Sequence, residues 1–322
     1  MAELPDGLTG ASVGSPPRLA GSVRRTSSLD LTRPEGPQGP LFITGRARDL
    51  HTAADGTATV VGNALMSAVV RDGVVSQLSF HPDGDRAAEL IGRKAGAGFR
   101  TALWRVMRDH YDAGSGLHLL LDELPVAMII AGFTYRRSSP PGMSHAGRRP
   151  DVCAGWIQDG RAMHHVRDGE APPVPVTPPA PSLVRLDDPA GWHTLPRLPM
   201  WGLSRRRRID VARSNGHIQV EAMFRDSFVD ADHVEKVLHE YAVDARLEPD
   251  QGAVHGLAAE PRVLPHLECP LSAGSTGRVV GARAARFREV VSMELFGPSS
   301  CTHLNDLLRS LSDAPALGRH LR

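Results

Sequence analysis

The sequence predicts an α+β protein: one small unit written twice, each copy about three antiparallel strands followed by helices, with a long proline-rich linker between the copies. Three observations predict this. Segments recur in the same order in the two halves of the 322-residue chain, as internal repeats do. Two hairpin-turn dipeptides, Asp55-Gly56 and Asn215-Gly216, sit between alternating apolar residues. In each half the helical periods follow the strands instead of alternating with them, which marks α+β rather than βαβ order.

Taken in order, residues 1–40 are rich in Gly, Pro, Ser and Arg and read as a disordered lead-in. The first repeat spans 41–133. Its hairpin, "RARDLHTAADGTATVVGNALMS" from Arg46, overlays "RRRRIDVARSNGHIQVEAMFRD" from Arg205. A third strand ending at Pro-Asp follows, "GVVSQLSFHPDG" from Gly73 against "EYAVDARLEPDQG" from Glu240. "IGRKAGAGFRTALWRVM" and "VGARAARFREVVSMEL" are helical in period, with Phe99-Arg100 on Phe287-Arg288. "SGLHLLLDEL" then falls on "SSCTHLNDLLRSL", placing His118 on His303. Residues 134–202 form the linker, where "SSPPG" and "GEAPPVPVTPPAPS" favour extended, loop-like backbone. The second repeat spans 203–322.

Composition narrows the function. Hydrophobic content of 41% and charged content of 23% are those of an ordinary globular chain. Net charge is +1 with both signs mixed along the chain, so there is no electrostatic footprint for nucleic acid. The run Arg205–Arg208 reads as a solvated strand edge in preference to a phosphate clamp. Three cysteines, Cys153, Cys269 and Cys301, are too few and too odd in number for a disulfide framework and point to a reducing compartment. The N-terminus lacks the basic and apolar regions of a signal peptide, and the longest apolar run, from Leu124, is too short to span a bilayer. A cytoplasmic protein with no membrane partner is expected. No P-loop, dinucleotide fingerprint or G-x-S-x-G motif is present, so no nucleotide cofactor is indicated.

Candidate chemistry concentrates in the second repeat. Alternation from Val220 puts Asp226 on the apolar face of a strand, where a carboxylate is costly unless it is paired or ligates something. His239 opens the neighbouring strand. Cys269 lies between prolines, and Cys301 begins the last helix, where the dipole would favour a thiolate. His303 and Asp306, three apart, share a helix face, so the carboxylate could orient the imidazole. Asp226, Cys269, Cys301 and His303 would suit Zn or Fe with a position left open for substrate. His303, Asp306 and His239 are the candidate proton-transfer group. In the overlay Asp226 falls on Met66 and Cys301 on Leu117, so the first repeat lacks this set and keeps only His118. Cys153, Trp156 and Trp192 in the linker are candidates for a lid over the pocket, alongside His118. The alternatives are a reactive Cys301 without metal, and cysteines that are plain core residues.

Two resemblances follow from these residues. "CTHLNDLLRSL", the Cys269 segment and the linker "DVCAGWIQDG...DDPAGWH" resemble an uncharacterised bacterial domain family ending in Gly-Cys-Thr-His-Leu, with Ser300 here in the glycine's place. That likeness implies no activity. The order Asp226, Cys269, Cys301, His303 is similar in layout to NifU-type iron–sulfur cluster assembly scaffolds, which implies metal or cluster handling. Arg225 stands where those scaffolds carry their first cysteine. The expectation is a small-molecule enzyme of hydrolase, lyase or isomerase type using a mononuclear metal. The rival expectations are a non-catalytic metal or iron–sulfur carrier and a structural or ligand-binding module.

Overall fold

The computed structural model describes residues 7–138, 149–170, 174–249 and 252–321; "SSPPG" lies almost wholly outside them. Eight strands are formed: β1 (Ser22–Thr32), β2 (Leu41–Thr52), β3 (Ala58–Arg71), β4 (Val74–His81), β5 (Leu203–Ser214), β6 (His217–Val229), β7 (Glu235–Leu247) and β8 (Val254–Val263). They make one antiparallel sheet in the order β4-β3-β2-β1-β5-β6-β7-β8. After β4 come α1 (Phe99–Val106), α2 (Arg108–Ala113), α3 (Gly116–Asp122) and α4 (Leu124–Ser138). The linker holds α5 (Arg161–Arg167), and β8 is followed by α6 (Phe287–Glu294), α7 (Thr302–Ser310) and α8 (Ala314–Gly318). The fold is α+β.

Side-chain alternation divides the sheet into two unlike faces. On one, Leu29 and Leu31 of β1 join the leucines of α3 and α4 in a first apolar core. Ile209, Val211, Val220 and Phe224 join α6 and α7 in a second. The opposite face is covered at its centre by the N-terminal segment and the linker. There Trp192 packs on Met223 and donates its indole N–H to Ser15 Oγ at 2.8 Å, while His193 bonds the hydroxyls of Thr26 and Ser28.

Two expectations are corrected at this sheet. Residues 22–32 are the central strand β1, not part of a disordered lead-in. Their polar composition misleads because the charged side chains are buried against partners. Arg24 binds Asp210 and Arg25 binds Asp49 and Asp313; Asp30 accepts from Ser204. Arg205–Arg208 is likewise no solvated edge: the four residues are 0–7% exposed in the middle of the sheet. Alternation sends Arg205 to Asp226 and Asp306, and Arg207 to Glu123 and Asp306, on the helix face. Arg206 and Arg208 reach Glu235, Asp210 and Glu221 on the other. Buried guanidinium groups persist because each is paired with a carboxylate.

The strand order reads the same from either edge, with β1 against β5 at the centre. Irregularities repeat with it. Pairing shifts after Asp49↔Gly62 in β2/β3 and after Asp226↔His239 in β6/β7. It shifts again after Val69↔Gln77 in β3/β4 and after Arg246↔Gly256 in β7/β8. By position, therefore, β1–β4 match β5–β8 strand for strand, and Asp49, not Met66, stands where Asp226 does. The sequence overlay was one strand out of step because it followed two turn dipeptides of the same chemistry at unlike places: Asp55-Gly56 joins β2 to β3, whereas Asn215-Gly216 joins β5 to β6. It also had no β1 or β8 to count; β8, an edge strand, tolerates Pro261.

Candidate functional site

The site is built where β6, β7 and the start of α7 meet. Asp226 is fully buried on the helix face of β6. Arg205 of β5 grips both carboxylate oxygens, at 2.8 and 3.0 Å, and His239 donates from Nδ1 to Oδ2 at 3.1 Å. Burial alone would raise this carboxyl. The Arg205 charge and the bonds from His239 and Arg205 outweigh it, holding Asp226 ionised, well below the usual carboxylate range. Because a carboxylate can only accept, this bond fixes the His239 ring with a proton on Nδ1.

The His303 ring stacks on that of His239, centroids 3.8 Å apart and 22° from parallel. Its Nε2 is buried and has no hydrogen-bond partner among the described residues. Burial, and then the neighbouring His239, hold His303 neutral, well below the ordinary histidine range. Cys301 caps α7, and its Sγ lies 4.0 Å from His303 Nδ1. Burial raises the Cys301 thiol in spite of the backbone N–H groups of Leu304 and His303 and the hydroxyls of Tyr241 and Ser272 around it. The expected dipole-stabilised thiolate is thus overridden by desolvation. Cys269 is raised further, by burial and then by Cys301. Its carbonyl accepts from Ser272 Oγ at 2.8 Å, which in turn accepts from Tyr241 at 2.9 Å.

The third thiol arrives from the linker. The turn at Cys153–Trp156 is tied to the α7 cap by Ala154 N–H donating to the Ser300 carbonyl at 2.8 Å, and Trp156 meets His266 edge-on at 4.8 Å. Gly155 presses so close that a Cβ there would lie 2.6 Å from Cys269 Sγ, which makes a side chain at 155 incompatible with this packing. All three cysteines, with His239, His266 and His303, line one cavity of about 330 Å³. That volume sits at the lower end of small-molecule sites.

Of the residues singled out from sequence, Cys153, Trp156, His239, Cys269, Cys301 and His303 line this cavity, and Asp226 lies directly behind it. The others lie elsewhere. Asp306 does not orient His303; it accepts from Arg100, Arg205 and Arg207 beneath α7. Trp192 is on the opposite face of the sheet. His118 is buried in α3, edge-on to Tyr111 at 5.3 Å, and burial with the Arg288 charge lowers it to about 3. Sequence reasoning missed His266, Tyr241 and Arg205. Alternation from Asp226 across to the arginine run was the available sign for Arg205.

Asp226, His239 and His303 each offer one ligand atom within 4.8 Å of the others, yet this trio is a poor cage. Both Asp226 oxygens already serve a guanidinium. Nearly parallel stacked imidazoles hold their in-plane lone pairs side by side, so those cannot converge on one ion. Cys301 with His303 is the better-placed donor pair.

An α+β domain whose thiols and imidazoles meet in one half-enclosed cavity is the class that fold and site define. A family described as a protein of unknown function (DUF2889) matches residues 203–316, which takes in β5 through α7, with Asp226, His239, Cys269, Cys301 and His303, and leaves out the first half. No curated protein and no solved structure matches the chain. The likeness to NifU-type scaffolds gains no support from these matches.

Proposed function

We propose that the protein is a small-molecule enzyme of hydrolase, lyase or isomerase type, with a mononuclear Zn or Fe ion on Cys269, Cys301 and His303. His239, held by Asp226, moves protons beside that ion. The observation carrying this reading is that three chain segments each deliver their single cysteine to a cavity that also holds a carboxylate-oriented imidazole. Two thiolates and one imidazole suit Zn or Fe and leave a coordination position for substrate; such an ion supplies Lewis-acid polarisation or an activated water. Both thiols are neutral in their buried setting, so metal uptake releases protons. The asymmetry fits a tandem duplication in which the second copy alone kept the chemistry. A cavity of this size is a weaker fit to a carrier that only exchanges metal.

Elemental analysis of the purified protein beside Cys301→Ser and His239→Gln tests it. The expected result is near-stoichiometric zinc or iron in the wild type and in His239→Gln, and its loss in Cys301→Ser. Folded wild type without metal would overturn the metal reading and leave His239 as a general base acting alone.

A further inference from the structure

We infer that the first half carries a separate site of its own, in which Ser115, His110 and Asp83 act as nucleophile, base and orienting carboxylate for the hydrolysis of short-chain carboxylic esters. Its cavity shares no lining residue with the thiol-bearing one, and its chemistry needs no ion there. Asp83 follows β4 in left-handed backbone (φ 60°), which aspartate tolerates better than most residues. Its Oδ2 lies 2.6 Å from His110 Nε2. The chain leaves α2 through Gly114, also left-handed, where a Cβ would lie 2.9 Å from Ala316. That turn brings Ser115 back to His110: its N–H donates to the His110 carbonyl at 3.1 Å, and its Oγ lies 2.9 Å from His110 Nδ1. Since a carboxylate can only accept, Nε2 holds the proton, and in the neutral ring Nδ1 accepts from the hydroxyl. The hydroxyl oxygen accepts from the His118 N–H at 3.1 Å, so its own proton is directed at the base. Holding the turn would require no carboxylate behind the imidazole. Nucleophile, base and orienting group in one chain of hydrogen bonds is the arrangement that activates a serine.

His110 and Ser115 line a cavity of about 120 Å³, with Ala64, Pro82 and Leu117 as apolar wall. Asn63 on the same wall carries an amide able to donate to a carbonyl oxygen that gains charge. The Asp49 carboxylate there is gripped by Arg25, which offsets its charge. Drug-sized sites run to roughly 300–1,000 Å³, so this volume restricts the acyl group to a few carbons. Ser115 Oγ adds to the ester carbonyl carbon as His110 Nδ1 takes its proton. The C–O bond to the alkoxide then breaks, and the alcohol leaves with that proton. Water adds to the acyl-serine through the same base, releasing the carboxylic acid and restoring Ser115.

Treatment of the full-length protein with a fluorophosphonate probe, followed by peptide mass spectrometry, tests this, because such probes react with serines that a base has activated and not with ordinary hydroxyls. One phosphonyl group per chain is expected, on Ser115, and none in His110→Gln. The protein should also turn over 4-nitrophenyl acetate, with the rate lowered by about 100-fold or more in Ser115→Asn and in His110→Gln. Asparagine keeps a side-chain oxygen for the His118 N–H, so the start of α3 is preserved. 4-Nitrophenyl octanoate should be hydrolysed more slowly than the acetate, because its chain exceeds the cavity. Asp83 is half exposed and acts through His110, so Asp83→Asn should lower kcat with KM unchanged, and by less than the loss of His110. No label, a label only on another residue, full hydrolysis by Ser115→Asn, an unchanged kcat in Asp83→Asn, or octanoate preferred to acetate would each overturn the inference. Labelling of the wild type decides the matter even where a variant fails to fold.

Discussion

The two halves keep the same frame and differ in what hangs on it. In each, an arginine of the strand at the central seam grips an aspartate on the next strand: Arg25 with Asp49, and Arg205 with Asp226. In each, the strand pairing shifts directly after that aspartate. Around this common pair, Phe224, His239 and Tyr241 have Ala47, Gly62 and Ala64 as positional counterparts. The leucines of α3 and the start of α4 (Leu117, Leu120, Leu121, Leu124) match those of α7 and beyond (Leu304, Leu307, Leu308, Leu311), which puts Gly116, not His118, where His303 stands. Gly116 agrees with that place, since a Cβ there would lie 3.0 Å from Ala47. Glycine or alanine thus stands at the positional counterparts of four rings, and the same four residues line a cavity of about 120 Å³. What both halves share is structural; what only the second has is the thiol–imidazole site.

The comparison can be broken most sharply at the shared pair. Asp226→Ala leaves a fully buried Arg205 with one carboxylate fewer, and should cost about 3–5 kcal/mol in denaturant unfolding. Asp49→Ala should cost less, because Asp49 is partly exposed whereas Asp226 is not; each arginine keeps a second carboxylate, Asp313 or Asp306. If Asp226→Ala unfolds like wild type, the pair is not part of the frame. A second test uses His118, whose folded pKa is about 3 against an ordinary 6.5. Between those values the unfolded chain binds a proton that the folded chain excludes. The stability is therefore full above the unfolded value and declines as pH falls, by up to ~1.4 kcal/mol per unit. His118→Asn should flatten that slope in unfolding midpoints taken from pH 7 to 4; an unchanged slope would mean that His118 protonates freely in the fold. The smallest effect concerns the counterpart of His239. At Gly62 a Cβ would come 3.1 Å from Asp49 Oδ2, so Gly62→Ala should lower the unfolding free energy by on the order of 1 kcal/mol, read in denaturant unfolding; a gain in stability would show slack around Asp49.

Sequence made parts of this legible. Strands β2, β3, β5 and β6 announced themselves by alternation and turn dipeptides, and α1 and α6 by their Phe-Arg starts. The cavity cysteines and histidines were recognisable as residues with no reason to be ordinary. The seam was not legible, for a physical reason: β1 and β5 hold their places through paired charges, and a polar strand whose partners lie far off in sequence looks like loop or surface. The same blindness hid Arg205 behind Asp226. His118 misled in the other direction, since a shared letter in two helices counted for more than the leucine spacing that sets which side faces the sheet.

The central seam also bears on assembly. The matched family spans residues 203–316, a stretch that begins at β5 and contains no β1. A chain of that stretch alone would present β5 as an open edge with Arg208 and Asp210 along it, and Asp210 would lose Arg24. Unpaired edges of this kind recruit another strand, and the mirrored order of this sheet supplies the geometry: a second copy, turned about a twofold axis, with β5 against β5. In the full chain the first half occupies that place, so a stretch expressed alone should run as a dimer where the whole protein has already satisfied the seam from within.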